Sequence, residues 1–265
     1  MNTETLYDRI QIPILKNHFI EGEYMNNLNV DQILAVLLKE IQNETRKWLI
    51  GRPCSEEAFL NRLTEVLAKR RKCDVGTTEV YKVEVEQHIL HRKGKNQTDK
   101  YGSDLAVTIS IPYLKFSKTA LLQLKKSENY KTQLLRDQIQ QASQFEPIKQ
   151  RSFVMTIDEV RGGIKVNSIT SIEKDIPVGQ ASKTFECEEW DALSEWIIKW
   201  MSCKVGAGNA SSDPMPIERL LKKQIINDDN MGQLELDDIY DSNEFELPEN
   251  FFMTKTWIKY TFKKE

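Results

Sequence analysis

Asp104, Gln123 and Lys125 are the residues of this chain whose types and spacing point most directly to chemistry. Asp104 opens the apolar run DLAVTISI, and Gln123 and Lys125 sit inside the following run TALLQLKKS. Side chains alternate along a strand, so Gln123 and Lys125 share one face while Leu122 and Leu124 point to the other. If the two runs form a hairpin, Asp104 joins Gln123 and Lys125 on that face. An amide and an ammonium on a buried strand are costly to desolvate unless something pairs with them. Two uses fit the set. One is a structural Asp–Lys ion pair bridged by the glutamine, although buried ion pairs are weak stabilisers. The other is a site for Mg2+, a cation that takes hard oxygen ligands and needs only one or two carboxylates because it keeps several waters.

The elements that would position these residues can be read from periodicity. Residues 31–50 carry Ile33, Leu34, Leu37, Leu38, Ile41, Trp48 and Leu49 at helical spacing. Ser55 is a good N-cap for a second helix whose apolar side is Ala58, Leu60, Leu63, Val66 and Leu67. From 78 the period becomes two, with Tyr81, Val83, Val85, Gln87 and Ile89 alternating with charged residues, which predicts a strand. The strands at 104–111 and 119–127 follow, then a helix over 130–145 and a strand over 152–160. The order helix, strand, strand, strand, helix, strand predicts an α/β layer with a three-strand meander and a crossover helix before the fourth strand. Further on, 164–172 reads as a strand, 187–202 as an amphipathic helix with Trp190, Leu193, Ile197 and Trp200 on one side, and 253–262 as a last strand. The Trp190, Trp196 and Trp200 set reads as core packing or, alternatively, as an oligomer surface.

Asp104 followed by Gln123-Leu124-Lys125, with a helix carrying Glu57 before it and a helix and strand after it, resembles the PD-(D/E)-x-K nuclease superfamily. It is similar in particular to the variant with Gln in the D/E place, seen in Mrr-like restriction enzymes and in effector nucleases of antiphage systems of the CBASS and Lamassu type. The resemblance covers residues 55 to 158. It implies a restriction-endonuclease-like mixed sheet flanked by helices. It also implies a site in which Mg2+ or Mn2+ is held by Asp104, by the Gln123 side-chain or Leu124 backbone carbonyl, and by Glu57. The metal would lower the pKa of a bound water and offset charge on the pentavalent phosphate. Lys125 would stabilise the developing negative charge. Glu57 is preferred to its neighbour Glu56 because Leu60 lies one helical turn on. Gln123 is neutral and no Pro precedes Asp104, so the site carries one negative charge fewer than the acidic form of the motif, and weaker metal affinity is expected. By the same resemblance Gln138 or Gln141, one turn apart on the later helix, supports the active site; the plain alternative is an exposed helix former.

Double-stranded DNA would be met by Lys69, Arg70, Arg71 and Lys72 at the end of the second helix, by Arg92, Lys93, Lys95 and Lys100 in a basic loop, and by Lys126. These suit phosphate contacts without base readout. The balance of 37 Lys+Arg against 40 Asp+Glu, net charge −3, argues against binding nucleic acid by bulk charge but leaves room for a local cationic groove, since acids concentrate in the stretch 235–249. Cys54, Cys73, Cys187 and Cys203 are too scattered for a zinc or redox motif. His88 and His91 fall on opposite strand faces. No run approaches a membrane span, and the N-terminus lacks the features of a secretory signal, so a soluble, cytoplasmic protein with no membrane partner is expected.

The expected organisation is an N-terminal helical segment (1–51), a nuclease-like core (52–160), and a C-terminal extension packed on the core (161–265) that sets oligomerisation or partner binding. The expected activity is Mg2+-dependent hydrolysis of DNA of low sequence specificity, by resemblance an effector in antiphage defence. Restraint would come from homo-oligomer assembly or from a regulatory ATPase or sensor subunit. The alternative is a catalytically inactive nuclease-fold subunit serving as a DNA-binding or scaffold component.

Overall fold

A computed structural model describes residues 55–68, 71–74, 80–90, 103–112, 116–126, 133–144, 146–158, 163–175, 190–201, 205–206, 217–218, 221 and 254–264. The helix expected over 31–50 and the acidic stretch lie outside the described residues. The described elements are the helix α1 (Glu56–Leu67), the strands β1 (Arg71–Asp74), β2 (Val80–Ile89), β3 (Ser103–Ile111) and β4 (Phe116–Lys126), and the helices α2 (Gln133–Ser143) and α3 (Glu146–Lys149). They continue with β5 (Ser152–Asp158), β6 (Gly163–Ser168), α4 (Ile169–Asp175), β7 (Asp191–Ala192), α5 (Leu193–Met201) and β8 (Thr254–Lys264).

The described residues fold as an α/β structure on one eight-stranded sheet in the order β1-β2-β8-β3-β4-β5-β6-β7. The sheet is mixed: β3 runs parallel to β8 and β4 parallel to β5, while the other neighbours are antiparallel. The β3–β4 hairpin and the crossover carrying α2 between β4 and β5 follow the order of elements in the sequence. The parallel β4–β5 pair needs such a crossover, because a tight turn can only return the chain antiparallel.

Two expectations are corrected, the three-strand meander and the strand over 164–172. The meander of three consecutive strands does not form, because β8 enters the sheet between β2 and β3. The region 161–265 supplies β6, β7 and β8 of the same sheet. The strand expected over 164–172 stops at Ser168, where α4 begins. The reason is a local cap: the Ser168 hydroxyl accepts the Ser171 backbone N–H at 3.2 Å, which satisfies one of the free donors of the new helix.

Alternation along the strands sorts the core into two layers. Leu105, Ile109, Leu122, Leu124, Met155 and Ile258 pack against Phe59, Leu60, Leu63 and Leu67 of α1 and Trp196 and Trp200 of α5. The two tryptophans stack at 5.4 Å, and Phe153 meets Trp196 edge-on at 5.1 Å. Trp190 departs from the expected stripe and joins the other layer. There Ala106, Leu121, Val154 and Trp257 pack against Leu135, Ile139 and Ala142 of α2 and Ile169 and Ile172 of α4. Asp104, Gln123 and Lys125 have the strand parity of this second layer.

Candidate active site

The site forms where β3 and β4 part. Their ladder runs from Ile111 opposite Phe116 to Leu105 opposite Leu122. One residue further, the Asp104 carboxylate takes over as acceptor. Its Oδ2 receives the Leu124 backbone N–H at 2.9 Å and the Gln123 side-chain Nε2 at 2.7 Å. β4 meanwhile stays in register with β5, with Gln123 beside Val154 and Lys125 beside Thr156. Asp104, Gln123 and Lys125 are only 6%, 7% and 6% exposed, so three polar side chains are held in the interior of a sheet. Asp104 and Gln123 are therefore brought together as the sequence suggested.

Lys125 and Asp104 are not ion-paired with each other. Lys125 Nζ lies 3.7 Å from Glu56 Oε2, and Glu56 Oε1 accepts the Lys126 backbone N–H at 2.9 Å. The helix carboxylate at the site is thus Glu56, and Glu57 is exposed. Helical spacing explains the placement. Glu56 lies three and four residues before Phe59 and Leu60, both buried, and so sits on the packed side. Glu57 shares only Leu60 with that side, and the residue four positions after it, Asn61, is exposed. Ser55 fixes the start of the helix by accepting the Ala58 N–H at 3.1 Å. If the site cuts DNA as the resemblance implies, Glu56→Gln is expected to lower cleavage about tenfold or more, while Glu57→Gln changes it less than about twofold. Equal effects in the two variants, measured in one cleavage assay, would contradict this placement.

The partner of Asp104 that sequence reasoning missed is Lys255. Its Nζ lies 2.6 Å from Asp104 Oδ1. Its signal was present as the alternation of the last strand, which puts Lys255, Trp257 and Lys259 on one face. That this strand adjoins β3 could not be read from spacing. Further along the same face, Trp257 Nε1 donates to Thr108 Oγ1 at 2.9 Å, and Thr108 and Thr119 hydroxyls are 2.8 Å apart.

Gln138 reaches the site region and Gln141 is exposed. Gln138 flanks the stripe Leu135, Ile139 and Ala142 on α2, and with Gln123, Ser103 and Ser152 it lines a cavity of about 10 Å³, room for about one water. Gln123 Oε1 and Gln138 Oε1 are both buried and accept no hydrogen bond.

Of the expected DNA contacts, Lys69, Arg70, Arg92, Lys93, Lys95 and Lys100 lie outside the described residues. Arg71 and Lys72 are not at a helix end but on β1, opposite Val83 and Lys82. α1 stops at Leu67, whose carbonyl accepts the Tyr260 hydroxyl at 2.7 Å, and the chain then pairs with the edge of β2. Lys126 is half-buried at the site rim.

The donor types present are those a hard divalent cation takes: the Asp104 carboxylate, the buried Gln123 carbonyl that accepts no hydrogen bond, the Leu124 main-chain carbonyl, and Glu56 as a second carboxylate. Among the described residues no three His, Cys, Asp or Glu side chains cluster, so amide and backbone oxygens would have to complete such a shell. Among the described residues no helix is long and apolar enough to cross a membrane. Comparison with protein-family models, with curated proteins and with solved structures finds no match to this chain.

Proposed function

We propose that the chain is a metal-dependent deoxyribonuclease of low sequence specificity, with a restriction-endonuclease-like core, acting as an effector in antiphage defence. The observation that carries this reading is the buried group of Asp104, Gln123 and Lys125 at the point where β3 and β4 part, with Glu56 against Lys125. Asp104, with the Gln123 or Leu124 carbonyl and Glu56, would hold Mg2+ or Mn2+. When bound, the cation supplies an activated water and charge compensation at the phosphate.

The chain's own residues prepare that chemistry. Leu124 N–H fixes one oxygen of Asp104, so the carboxylate is oriented by the main chain of the strand that also carries Gln123 and Lys125. Glu56 orients the Lys125 ammonium, which can then face a phosphate oxygen as negative charge grows on it. The Gln123 amide now presents its NH2 to Asp104. Turning it by half a revolution exchanges its oxygen and nitrogen, presents the oxygen on the Asp104 side, and aims the NH2 into the cavity that Gln138 shares.

The proposal extends to double-stranded DNA as substrate, with Lys126, Arg71 and Lys72 among the residues proposed to meet its phosphates, and to a homo-oligomer or a regulatory ATPase as the restraint. The scaffold reading keeps one observation of its own: both oxygens of Asp104 already accept protein donors. Plasmid cleavage with and without Mg2+ decides between them. Lys125→Met, which keeps most of the buried stem and removes the charge, is expected to reduce the cleavage rate by about 10²- to 10³-fold at unchanged melting temperature. No cleavage by the unmodified chain with Mg2+ sinks the nuclease reading, and undiminished cleavage by the folded variant takes the activity away from this site.

A further inference from the structure

We propose that Lys255 is the resident counter-ion of Asp104 and that a divalent cation binds this site by displacing the Lys255 ammonium. The inference rests on the metal-site reading above. Lys255 is placed by register: β8 runs parallel to β3 with Thr254 opposite Ser103 and Thr256 opposite Leu105, so Lys255 and Asp104 are side by side on one sheet face. Their contact is 2.6 Å.

The two oxygens of Asp104 are held differently. Oδ2 takes the Leu124 main-chain N–H, which cannot leave without moving β4, and β4 is fixed by its pairing with β5. Oδ1 takes a lysine whose side chain is 37% exposed, against 9% for the aspartate. Of these partners Lys255 is the one on a flexible four-carbon stem with solvent to retreat into. An approaching cation therefore meets Asp104 where Lys255 already sits. Two cations cannot share one carboxylate oxygen at contact distance without strong repulsion, so one excludes the other.

Two consequences follow. With Lys255 paired to it, Asp104 is not a buried uncompensated carboxylate, which would be costly. The site also discriminates by charge, because a monovalent ion gains nothing over the ammonium it replaces while a divalent ion gains one further unit of attraction. Lys255 thereby sets a concentration threshold for loading, on top of the low charge of a site with Gln in place of an acid.

The test is calorimetric titration of the full chain with Mn2+, with melting temperature as a second readout. Lys255→Met is expected to bind Mn2+ about tenfold more tightly than the unmodified chain. It should also melt lower without metal and gain more on saturation, because ligand binding to the folded state stabilises it. Lys255→Arg, which keeps the charge, should bind no more tightly than the unmodified chain, and Asp104→Ala should not bind. Equal or weaker binding by Lys255→Met, with Asp104→Ala silent, overturns the displacement and leaves the metal site standing. Absence of Mn2+ binding in both the unmodified chain and Lys255→Met overturns both.

Discussion

On the proposed nuclease reading, replacing Asp104 by Ala is expected to abolish Mg2+-dependent cleavage, a loss of about a thousandfold or more, equivalent to roughly 4 kcal/mol of transition-state stabilisation. The same change carries a cost in stability, and the two effects have to be separated. Asp104 accepts the Gln123 NH2 and the Leu124 N–H in the interior, so its removal strands buried donors at about 1–3 kcal/mol each. Lys255 loses its counter-ion but has solvent available. The variant should therefore be destabilised by a few kcal/mol in denaturant titration and still fold if the chain has an ordinary margin. Asp104→Asn isolates the chemical effect. It keeps the shape and one acceptor oxygen, so its melting temperature should fall less than that of the Ala variant. Its charge is gone, so metal binding and cleavage should be lost to the same degree. A folded Asp104→Asn protein that cuts DNA at a normal rate would remove Asp104 from the chemistry.

The face shared by Asp104, Gln123 and Lys125 was legible because strand alternation is a local rule and the hairpin that joins them is short in sequence. The crossover helix before β5 was legible for the same reason. Which carboxylate of α1 reaches the site depended on counting the packed side from Phe59 as well as Leu60; with Phe59 left out, Glu56 and Glu57 look alike. The short switch from β6 to α4 was hidden because Ile164, Val166, Ile169 and Ile172 are all buried and satisfy either period, and the deciding interaction is the Ser168 cap. Position in the sheet was not legible at all for β8. Its nearest paired neighbour in sequence is β3, separated from it by most of the chain, and nothing local encodes a pairing at that distance. Lys255 and the ion pair with Asp104 were missed with it. The same holds for Lys118, whose buried ammonium donates to the Trp200 carbonyl at the end of α5, and for Glu218, which accepts Lys259 at 2.6 Å and Ser117 at 2.7 Å.

The central place of β8 makes the end of the chain the most sensitive region for folding. A chain ending at Met253 is expected to give no cooperative unfolding transition and to be recovered largely as aggregate. β8 pairs along nine positions with β2 and along seven with β3, so its loss removes both ladders and leaves two exposed strand edges facing each other across an empty slot. It also removes Trp257, Ile258, Tyr260 and Phe262, which are 1%, 0%, 1% and 4% exposed. Truncating one such residue to Ala costs about 2–5 kcal/mol, so losing four exceeds the 5–15 kcal/mol that holds a typical domain together. Ile258→Ala alone should lower stability by about 2–5 kcal/mol in urea titration and remain folded, which calibrates the scale. A truncated chain with a sharp thermal transition and native near-ultraviolet dichroism would mean that the sheet closes without β8. β3 would then need another neighbour, and Asp104 would lose Lys255 without losing its fold. The expected collapse instead ties the two halves of the sequence into one unit, in which the strand that completes the sheet also delivers the cation that occupies the site.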